Sequence, residues 1–457
     1  MSVRATRSIL LLLLAARAAG GQQRVTDNSL SSTFGRWVAE HRVVGISAGW
    51  VDGNRRGTAS AGIGQSGANA KVTDSTSFEI GSITKAFTGT LLATMVLSGE
   101  VALDDPVAKL LPGWTVPSYN GREITLLDLA TQSSGLPRLP DNFKPSDGLD
   151  PYADYDDAKL REFLAAYQLP RAPGSQYEYS NLGMGLLGRA LAQRGGKSYE
   201  ALLRERILDP LGMKETRVTP DASWGSREAR GHNGEHQPIP AWHFAALQGA
   251  GALRSSIADM MRFAAAVRDT TAGPLAKALA FAIRPRRPIS GADSIGLAWH
   301  HRHVDGMDIV WHNGATGGFR SWLSADLVTR RAVVVLTNGG AVPLDVTGLE
   351  LQRQLSLTPP PSIDPPTKIA LGAGALARFV GRYELSPQFA LEITQRSDTL
   401  WAQATGQGVL PVFAESATAF FYKVVKAELL FRVDSAGAVT GLVLRQNGAE
   451  LPARKVP

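Results

Sequence analysis

The fold is decided by residues 78–100, FEIGSITKAFTGTLLATMVLSGE. Apolar residues recur at helical spacing from Ala86 to Leu97, and Gly99 follows after Ser98. This pattern predicts a buried helix that ends at the glycine. Lys85 lies on the same helix among apolar neighbours, where an ammonium group is costly unless it is paired. The helix therefore combines apolar core residues with a lysine whose burial suggests a functional role.

Strand patterns lie on both sides of this helix. Residues 43–52, VVGISAGWVD, and the turn signal Asp52-Gly53-Asn54 predict a hairpin over Gly45–Gly64. Residues 103–270 have the pattern of helices separated by Pro and Gly loops, and Ser256-x-x-Asp259 predicts a capped helix near their end. Four further strand patterns follow: GLAWHHRHV, MDIVWHNG, FRSWLSADL and RRAVVVLTN. We predict an α/β sheet domain with a helical lobe.

The C-terminal part has a different pattern. Residues 357–368, LTPPPSIDPPTK, contain five prolines in twelve residues, which is typical of a semi-rigid linker. Short strand patterns with turns between them follow, and they predict a small all-β barrel or sandwich: FVGRYEL, LEITQ, TLWAQAT, AFFYKV, ELLFRV and GLVLRQ. We divide the chain into a large domain at 25–356, a linker at 357–370 and a β domain at 371–457.

Composition excludes several kinds of chemistry. The 457 residues contain no cysteine. Disulfides, thiolate zinc sites, iron–sulfur clusters and cysteine nucleophiles are therefore excluded. The lipid anchor of acylated bacterial lipoproteins is excluded as well, because it is attached to a cysteine.

The N-terminal residues predict export. Residues 1–20 combine basic Arg4 and Arg7 with the short apolar run from Ile9 to Ala16, followed by small residues suited to cleavage. An uncleaved anchor is the alternative, and Arg17 near the cut favours it slightly. The formal charge of +7 becomes +4 without these residues, which hold three arginines and no acid. We expect a secreted or periplasmic protein without a stable membrane anchor after cleavage and without a nucleic-acid partner.

The first candidate catalytic motif is Ser82-Ile83-Thr84-Lys85. Its serine and lysine are three residues apart and so share one face of the predicted helix. A serine hydroxyl becomes a good nucleophile when a base takes its proton, and a partly desolvated lysine can supply or relay that base. Gly81 allows close backbone approach, and a helix N-terminus directs N–H groups at developing negative charge. Alone, the motif is also compatible with a capped helix and a solvated lysine.

Two more motifs follow in order. In APGSQYEYSNLGMGLLG a Pro-Gly loop leads to Tyr179-Ser180-Asn181 at the start of a helix. A tyrosine beside an ammonium can have a lowered phenol pKa and act as acid or base, and Asn181 can bind both a lysine and a substrate amide. His312-Asn313-Gly314-Ala315 follows a strand, where an edge can bind a peptide-like substrate and an N–H can join an oxyanion hole. Core packing and a Gly-rich turn are the alternatives.

Other patterns carry less chemistry. Gly45-Ile46-Ser47-Ala48-Gly49 fits the nucleophile elbow of α/β-hydrolases, but a hairpin turn follows where that elbow requires a helix. We therefore interpret Ser47 as a small residue in a packed strand. His300-His301-x-His303 lies on a predicted strand with no spaced carboxylate, so we expect no metal site. Three tryptophans are predicted to pack the sheet rather than line a groove: Trp299, Trp311 and Trp322.

The ordered motifs S-x-x-K, Y-x-N and H-x-G resemble those of the serine β-lactamase and penicillin-binding-protein superfamily, in the branch of class C β-lactamases, serine DD-peptidases and esterases. The similarity covers about residues 30 to 355, and residues after Leu371 are similar to the lipocalin-like β domain appended to many such hydrolases. The segments that carry it are FEIGSITKAFTG, LDDPVAKLLPGW, ITLLDLATQSSGLP, APGSQYEYSN, DPLGMKET and HNGATGGFRSW. The resemblance implies an antiparallel sheet flanked by helices plus an all-helical lobe.

The resemblance also implies roles. Ser82 would become acylated, with Lys85 and Tyr179 sharing the proton transfers, and which of the two is the acylation base stays open. The N–H groups of Ser82 and Ala315, beside Gly314, would hold the oxyanion, and Asn181 would bind the acylamide side chain. No metal or organic cofactor is implied.

His312 occupies the position at which class C β-lactamases usually carry a lysine. DD-peptidases and several esterases of this branch also carry a histidine at that position. A histidine is mostly neutral near pH 7 and suits a substrate carboxylate less well. We expect β-lactams or D-Ala-D-Ala-type peptides as substrates, with a carboxylesterase as the close alternative. A penicillin-binding sensor that does not deacylate, or a catalytically silent scaffold, are alternatives of another class.

Overall fold

The structure, a computed structural model, describes residues 27–65, 70–220, 222–339, 344–356, 368–386, 389–405, 408–422, 427–434, 436–446 and 449–456. The predicted signal at 1–20 lies outside these ranges, as does the Pro-rich part of the predicted linker, 357–367.

The main sheet of the described residues has nine antiparallel strands in the order β10-β11-β12-β13-β14-β15-β1-β2-β3. The predicted hairpin and the predicted strands after Gly296 are present, and short strands that the sequence did not reveal extend both edges. The strands are β1 Gly45–Asp52, β2 Arg55–Gln65, β3 Ala70–Lys71, β4 Ser77–Glu79, β5 Ser118–Tyr119, β6 Arg122–Glu123, β7 Gly231–His232, β8 Pro238–Ile239, β9 Arg254–Ser256, β10 Arg287–Ser290, β11 Asp293–Ile295, β12 His300–Val304, β13 Met307–Ala315, β14 Arg320–Asp326 and β15 Arg331–Thr337.

Helices cover both faces of the sheet. They are α1 Asp27–Ala39, α2 Thr84–Leu97, α3 Val107–Leu110, α4 Leu126–Ala130, α5 Asp157–Ala166, α6 Asn181–Gly195, α7 Tyr199–Leu203, α8 Gln248–Gly251, α9 Ile257–Arg268, α10 Ala276–Ile283 and α11 Leu344–Ser356, with 3₁₀ turns at Gly81–Ile83 and Ala222–Arg227 and a π-helical turn at Arg204–Leu208. The predicted cap of α9 is present, because the Ser256 hydroxyl accepts a hydrogen bond from the Asp259 N–H at 3.2 Å.

Strand β15 shows how the layers are built. Val333 and Val335 pack in a cluster with α1 and α11, whereas Val334 and Leu336 pack in the larger cluster with α2, α9 and the helical lobe. Alternate residues of a strand point to opposite faces, so an apolar run is buried on both sides. Helix α2 is buried on nearly all sides, which explains why apolar residues occur all around its surface.

Residues after 368 form a separate closed barrel of eight antiparallel strands. These are β16 Gly381–Ser386, β17 Phe389–Arg396, β18 Thr399–Ala404, β19 Val409–Ala414, β20 Ala419–Tyr422, β21 Ala427–Val433, β22 Val439–Gln446 and β23 Ala449–Val456, preceded by α12 Ala373–Leu376 and a 3₁₀ turn at Ala377–Phe379. The sequence pattern missed β19 and β23, which contain Pro411 and Pro452 and so lack the usual strand signature. The barrel has its own core, with Phe379, Phe420 and Phe431 in mutual contact.

Candidate active site

Ser82 lies in a tight turn that leads directly into α2. Strand β4 ends at Glu79, and the 3₁₀ turn Gly81–Ile83 follows. Gly81 has φ of 49°, and a Cβ at this position would lie 2.7 Å from the Ala315 nitrogen. Both the backbone conformation and the close approach require glycine here. The half-buried Ser82 is thereby held against the end of β13.

Lys85 is fully buried beside Ser82. Its Nζ lies 3.0 Å from Ser82 Oγ and donates a hydrogen bond of 2.6 Å to the Ala250 carbonyl. Burial, reinforced by the positive charge of Arg138, lowers the pKa of Lys85 well below its usual range. No carboxylate of the described residues pairs with it. A lysine in this setting loses its proton more readily than an exposed one, and its deprotonated amine can accept the proton of the serine.

Tyr179 covers the amine. Lys85 Nζ lies 4.9 Å from the centre of the Tyr179 ring, and Arg138 Cζ lies 5.1 Å from the same ring. Burial raises the pKa of the Tyr179 phenol, although a hydrogen bond with Ser82 and the charge of Arg138 oppose this. The sequence expectation of a lowered phenol pKa is therefore wrong, because burial is the largest influence on this pKa and raises it. The phenol stays protonated and is placed to donate.

Asn181 begins helix α6 next to Tyr179. The intervening Ser180 caps this helix by accepting from the Gly183 N–H at 2.8 Å. Asn181 Nδ2 donates to the Tyr152 hydroxyl at 2.9 Å, while its buried Oδ1 has no hydrogen-bond partner among the described residues. The amide is thus oriented with an acceptor left for a donor on a ligand.

His312 lies on β13 and is 1% exposed. Its Nδ1 is 2.6 Å from the Asn313 carbonyl oxygen and so carries the proton, which leaves a lone pair on Nε2. That Nε2 is buried and has no partner in the described part of the chain. Burial lowers the pKa of His312 well below its usual value, and His300 and Lys85 add to the effect. The side chain is a neutral acceptor near Tyr179, whose ring centre is 6.5 Å away.

The end of β13 packs directly on the serine turn. A Cβ at Gly314 would overlap the Ile80 carbonyl oxygen, to which Ser321 Oγ donates at 2.8 Å. This contact brings the Ala315 N–H beside the turn that carries Ser82. The backbone nitrogens of Ser82 and Ala315 are thus on neighbouring segments, an arrangement compatible with the expected oxyanion hole.

The other sequence patterns are structural. Ser47 is buried in β1, with its Oγ 2.7 Å from Ser60 Oγ. His300 contacts the Tyr177 hydroxyl at 3.2 Å, whereas His301 bonds the Ile283 carbonyl, so the two rings have different hydrogen-bond partners. Among the residues described, no group of three His, Asp or Glu side chains could hold a metal ion. The tryptophans pack the sheet as predicted: Trp299 is fully buried, and Trp311 and Trp322 stack with ring centres 5.1 Å apart.

This geometry agrees with what sequence comparison finds. The profile of the Beta-lactamase family matches residues 30–357, which include every side chain of the site. The chain belongs to the Beta-lactamase family. A second profile, a domain of unknown function named DUF3471, matches residues 365–454, the region of the barrel.

Individual proteins are also similar to this Beta-lactamase family chain. It is 35% identical over 249 residues to the D-alanyl-D-alanine-carboxypeptidase/endopeptidase AmpH of Escherichia coli K12, covering 53% of this chain and 63% of AmpH. It is 29% identical over 371 residues to penicillin-binding protein 4 of Amycolatopsis lactamdurans, covering 75% and 95%. The crystal structure of a β-lactamase/D-alanine carboxypeptidase from Yersinia pestis matches with a TM-score of 0.59 and 26% identity, over 69% of this chain and 94% of that one.

Two features of the site in this Beta-lactamase family chain escaped sequence reasoning. Tyr152 orients Asn181 from a loop whose sequence gives no signal. Glu79 is 6% exposed, and it accepts from the Trp242 N–H at 2.8 Å and pairs with Arg254 at 3.4 Å. Burial raises the pKa of Glu79 despite Arg254. A single carboxylate in the apolar run F-E-I-G was the available signal, and its contacts fix the chain just before Ser82.

No helix of the described residues is long and apolar enough to cross a bilayer.

Proposed function

We propose that this chain is an exported serine hydrolase that cleaves β-lactams or D-Ala-D-Ala-type peptides through an acyl-enzyme on Ser82. The observation that carries the proposal is the buried Lys85 amine, 3.0 Å from Ser82 Oγ and without a carboxylate partner in the described ranges. The activities for which AmpH and the Yersinia protein are named support the substrate class. Residues 25–356 would carry the reaction.

Acylation begins with a proton transfer. As Ser82 Oγ forms a bond to the substrate carbonyl carbon, its proton moves to the neutral Lys85 Nζ, and the carbonyl electron pair becomes an oxyanion. The N–H groups of Ser82 and Ala315 stabilise that charge, and removal of one such donor typically costs about 10²–10³ in turnover. The lowered pKa of Lys85 supports its role as the base in this step, and the raised pKa of Tyr179 argues against the phenol in that role.

Collapse of the intermediate breaks the bond to the leaving nitrogen. Tyr179 donates its proton to that nitrogen and regains one from the Lys85 ammonium, so the pair ends this half-reaction uncharged. In deacylation water gives up a proton to the same pair as it attacks the ester carbonyl, and Ser82 Oγ recovers its proton on leaving. Both half-reactions therefore use one proton relay in opposite directions.

Substrate orientation falls to the two unpartnered acceptors. The Asn181 Oδ1 atom would accept from an N–H on the acyl side chain, while Tyr152 keeps the amide in place. The neutral His312 would accept a hydrogen bond through Nε2. This neutrality favours a second candidate function, a carboxylesterase using the same acyl-enzyme, since an ester substrate needs no cation at this position.

A panel of three substrates tests the proposal: nitrocefin, a D-Ala-D-Ala peptide and p-nitrophenyl butyrate. We expect Ser82→Ala to lose about 10⁴-fold or more in kcat on the preferred substrate. Ser47→Ala is the matched control and should keep full activity. Retention of activity by Ser82→Ala on all three substrates would overturn the nucleophile assignment. Labelling by a fluorescent penicillin without release would identify a sensor rather than a hydrolase.

Export is part of the same proposal. It is supported by the basic-then-apolar pattern of residues 1–20. Cell fractionation with N-terminal sequencing of the recovered protein tests it, and an intact N-terminus in the cytoplasmic fraction would contradict it.

A further inference from the structure

An exposed arginine at the mouth of the site, Arg138, influences the pKa values of Lys85 and Tyr179 but exchanges no proton and forms no bond in the proposed acyl-transfer steps. Arg138 lies in the loop between α4 and α5, and hydrogen bonds hold the backbone of this loop in place. Its carbonyl accepts from the Asn181 N–H at 3.0 Å, and the neighbouring Pro137 carbonyl accepts from Ser180 Oγ at 2.6 Å. The exposed side chain places Cζ 5.1 Å from the centre of the Tyr179 ring. The guanidinium therefore stands beside the reacting groups on a well-anchored loop.

This guanidinium differs from the others around the site. Arg171 pairs with Glu178, Arg302 pairs with Asp293 at 2.6 Å, and Arg287 pairs with Asp128 at 2.9 Å. Arg138 forms no ion pair or side-chain hydrogen bond with any residue in the described ranges. Its side chain is exposed, and its five donors have the fork arrangement that matches a carboxylate.

The His312 position of the site supplies no positive charge. His312 is buried and neutral, so the position at which a cation would meet a substrate carboxylate offers only a hydrogen-bond acceptor. An acceptor repels a carboxylate rather than binding it. A substrate carboxylate must then be bound by a cation elsewhere in the site. Among the described residues, Arg138 is the arginine next to Tyr179 that has no ion pair.

We propose that Arg138 binds a carboxylate of the substrate at the mouth of the site and so selects acidic over neutral substrates. This inference rests on the proposed function, because it assigns a substrate feature to the same site. The carboxylate has two possible positions: on the acyl group held by Asn181, or on the leaving group protonated by Tyr179. Arg138 is next to both residues, because its carbonyl accepts from the Asn181 N–H and its Cζ lies 5.1 Å from the centre of the Tyr179 ring.

Binding in the Ser82→Ala background, where no turnover interferes, separates this inference from the proposed function. Three peptides serve as probes: N-acetyl-D-Ala-D-Ala amide as the neutral parent, the same peptide with a free C-terminal carboxylate, and the amide with an N-glutaryl group. We expect Arg138→Gln to raise the Kd of one acidic peptide by about 10- to 100-fold, the range for a hydrogen-bonded charged group. The neutral parent should change less than about 3-fold, and the affected peptide shows which end carries the carboxylate.

Two further variants sharpen the comparison. Arg138→Lys keeps the charge without the fork and should give an intermediate Kd for the acidic peptide. Arg161→Gln is the matched control, because Arg161 is also exposed and also stacks on an aromatic ring, with Cζ 4.6 Å from the centre of Trp114. It should leave all three Kd values unchanged.

The outcomes are distinct. Equal weakening of the neutral and acidic peptides by Arg138→Gln would overturn the inference and show that the arginine only supports Tyr179. No change for any peptide would overturn it as well. In a third outcome, the wild-type protein hydrolyses none of the substrates while Arg138→Gln still selectively weakens acidic-peptide binding in the Ser82→Ala background. That result would overturn the proposed function but support the carboxylate site.

Discussion

The nitrogen of Ala315 lies 2.7 Å from the place that a Cβ atom would occupy on Gly81. The serine turn and the end of β13 are therefore in backbone contact, with no side chain between them. We expect this contact to set the distance between the two donors proposed for the oxyanion hole, and a single methyl group on Gly81 to change it.

Gly81→Ala should lower kcat by about 10²–10³-fold, because the added methyl moves the Ala315 N–H away from the reacting oxygen. The positive φ at this position adds about 1–2 kcal/mol of destabilisation. Gly53→Ala is the control, since Gly53 has φ of 59° but no atom within 4 Å of the place its Cβ would take. It should lose similar stability in urea and keep its kcat. Equal kcat values for the two variants would contradict a role for this backbone contact.

The pH dependence of kcat/KM follows from Lys85. We expect kcat/KM to fall tenfold per pH unit below the lowered pKa of Lys85, because its protonated form cannot accept the serine proton. At high pH the raised pKa of Tyr179 should keep the profile flat to about pH 9. Burial lowers the pKa of His300 to about 4, so His300→Gln is the control and should leave the acid limb in place. A rate that declines between about pH 7 and 9 would show that the ammonium form is the active one.

Lys85 also costs stability. Its folded pKa is depressed below the ordinary value of 10.5, so between the two pKa values the unfolded chain binds the extra proton and the native state loses stability as pH falls. Lys85→Met should abolish turnover and, near pH 7, raise the free energy of unfolding by about 1 kcal/mol. The gain over wild type should shrink as pH rises towards 10, which urea titrations at several pH values measure.

Lys109→Met provides the comparison for that experiment. Lys109 is 68% exposed and pairs with Asp105 on the surface, so its replacement should leave the pH dependence of unfolding almost unchanged. If the two methionine variants show the same pH slope, the buried amine is not the source of the effect.

Tyr152 is expected to act on substrate affinity. Tyr152→Phe removes the hydroxyl that fixes the Asn181 amide at 2.9 Å, so KM should rise about 5- to 10-fold with kcat nearly unchanged. Tyr155→Phe is the matched control, because the Tyr155 hydroxyl bonds Asn142 Oδ1 at 3.0 Å in the same aromatic cluster. Steady-state kinetics on the preferred substrate distinguish the two. A fall in kcat without a change in KM would place Tyr152 in the chemistry instead.

The barrel should fold without the large domain. Its core cluster is formed only by residues of the C-terminal region, from Leu371 to Ala453. Residues 365–457 expressed alone should therefore unfold cooperatively, and the full chain should show two calorimetric transitions. A chain ending at residue 356 should keep its kcat within about 3-fold. Loss of activity on truncation would show that the barrel completes or supports the site.

Local patterns were sufficient for much of this molecule. The apolar run of α2, the cap at Ser256 and the long strands were predictable because each follows from spacing within one segment. The S-x-x-K, Y-S-N and H-N-G motifs were found for the same reason, and the structure brings all three together. Strands β19 and β23 were missed because barrel closure overrides the weak strand preference of segments that contain proline.

The electrostatics of the site could not be predicted in this way. The expectation of a lowered phenol pKa at Tyr179 took a neighbouring ammonium as the main influence, but burial in the assembled core is the largest effect on that phenol. The contact of Tyr152 with Asn181 joins residues 29 positions apart, and that of Glu79 with Trp242 joins residues 163 apart. No sequence window contains such pairs.

The edges of the main sheet have a consequence for the behaviour of the protein at high concentration. Exposed edge strands can pair with another molecule and seed aggregation. Here one edge, β10, is only four residues long and includes Pro288, and the other, β3, has two residues. The barrel, being closed, has no edge. In the described part of the chain, the longest exposed edge lies on β2, because β3 pairs only with Ile63 and Gln65 and leaves Arg55–Gly62 without a strand partner on that side. A second copy that extends the main sheet would therefore pair with this part of β2.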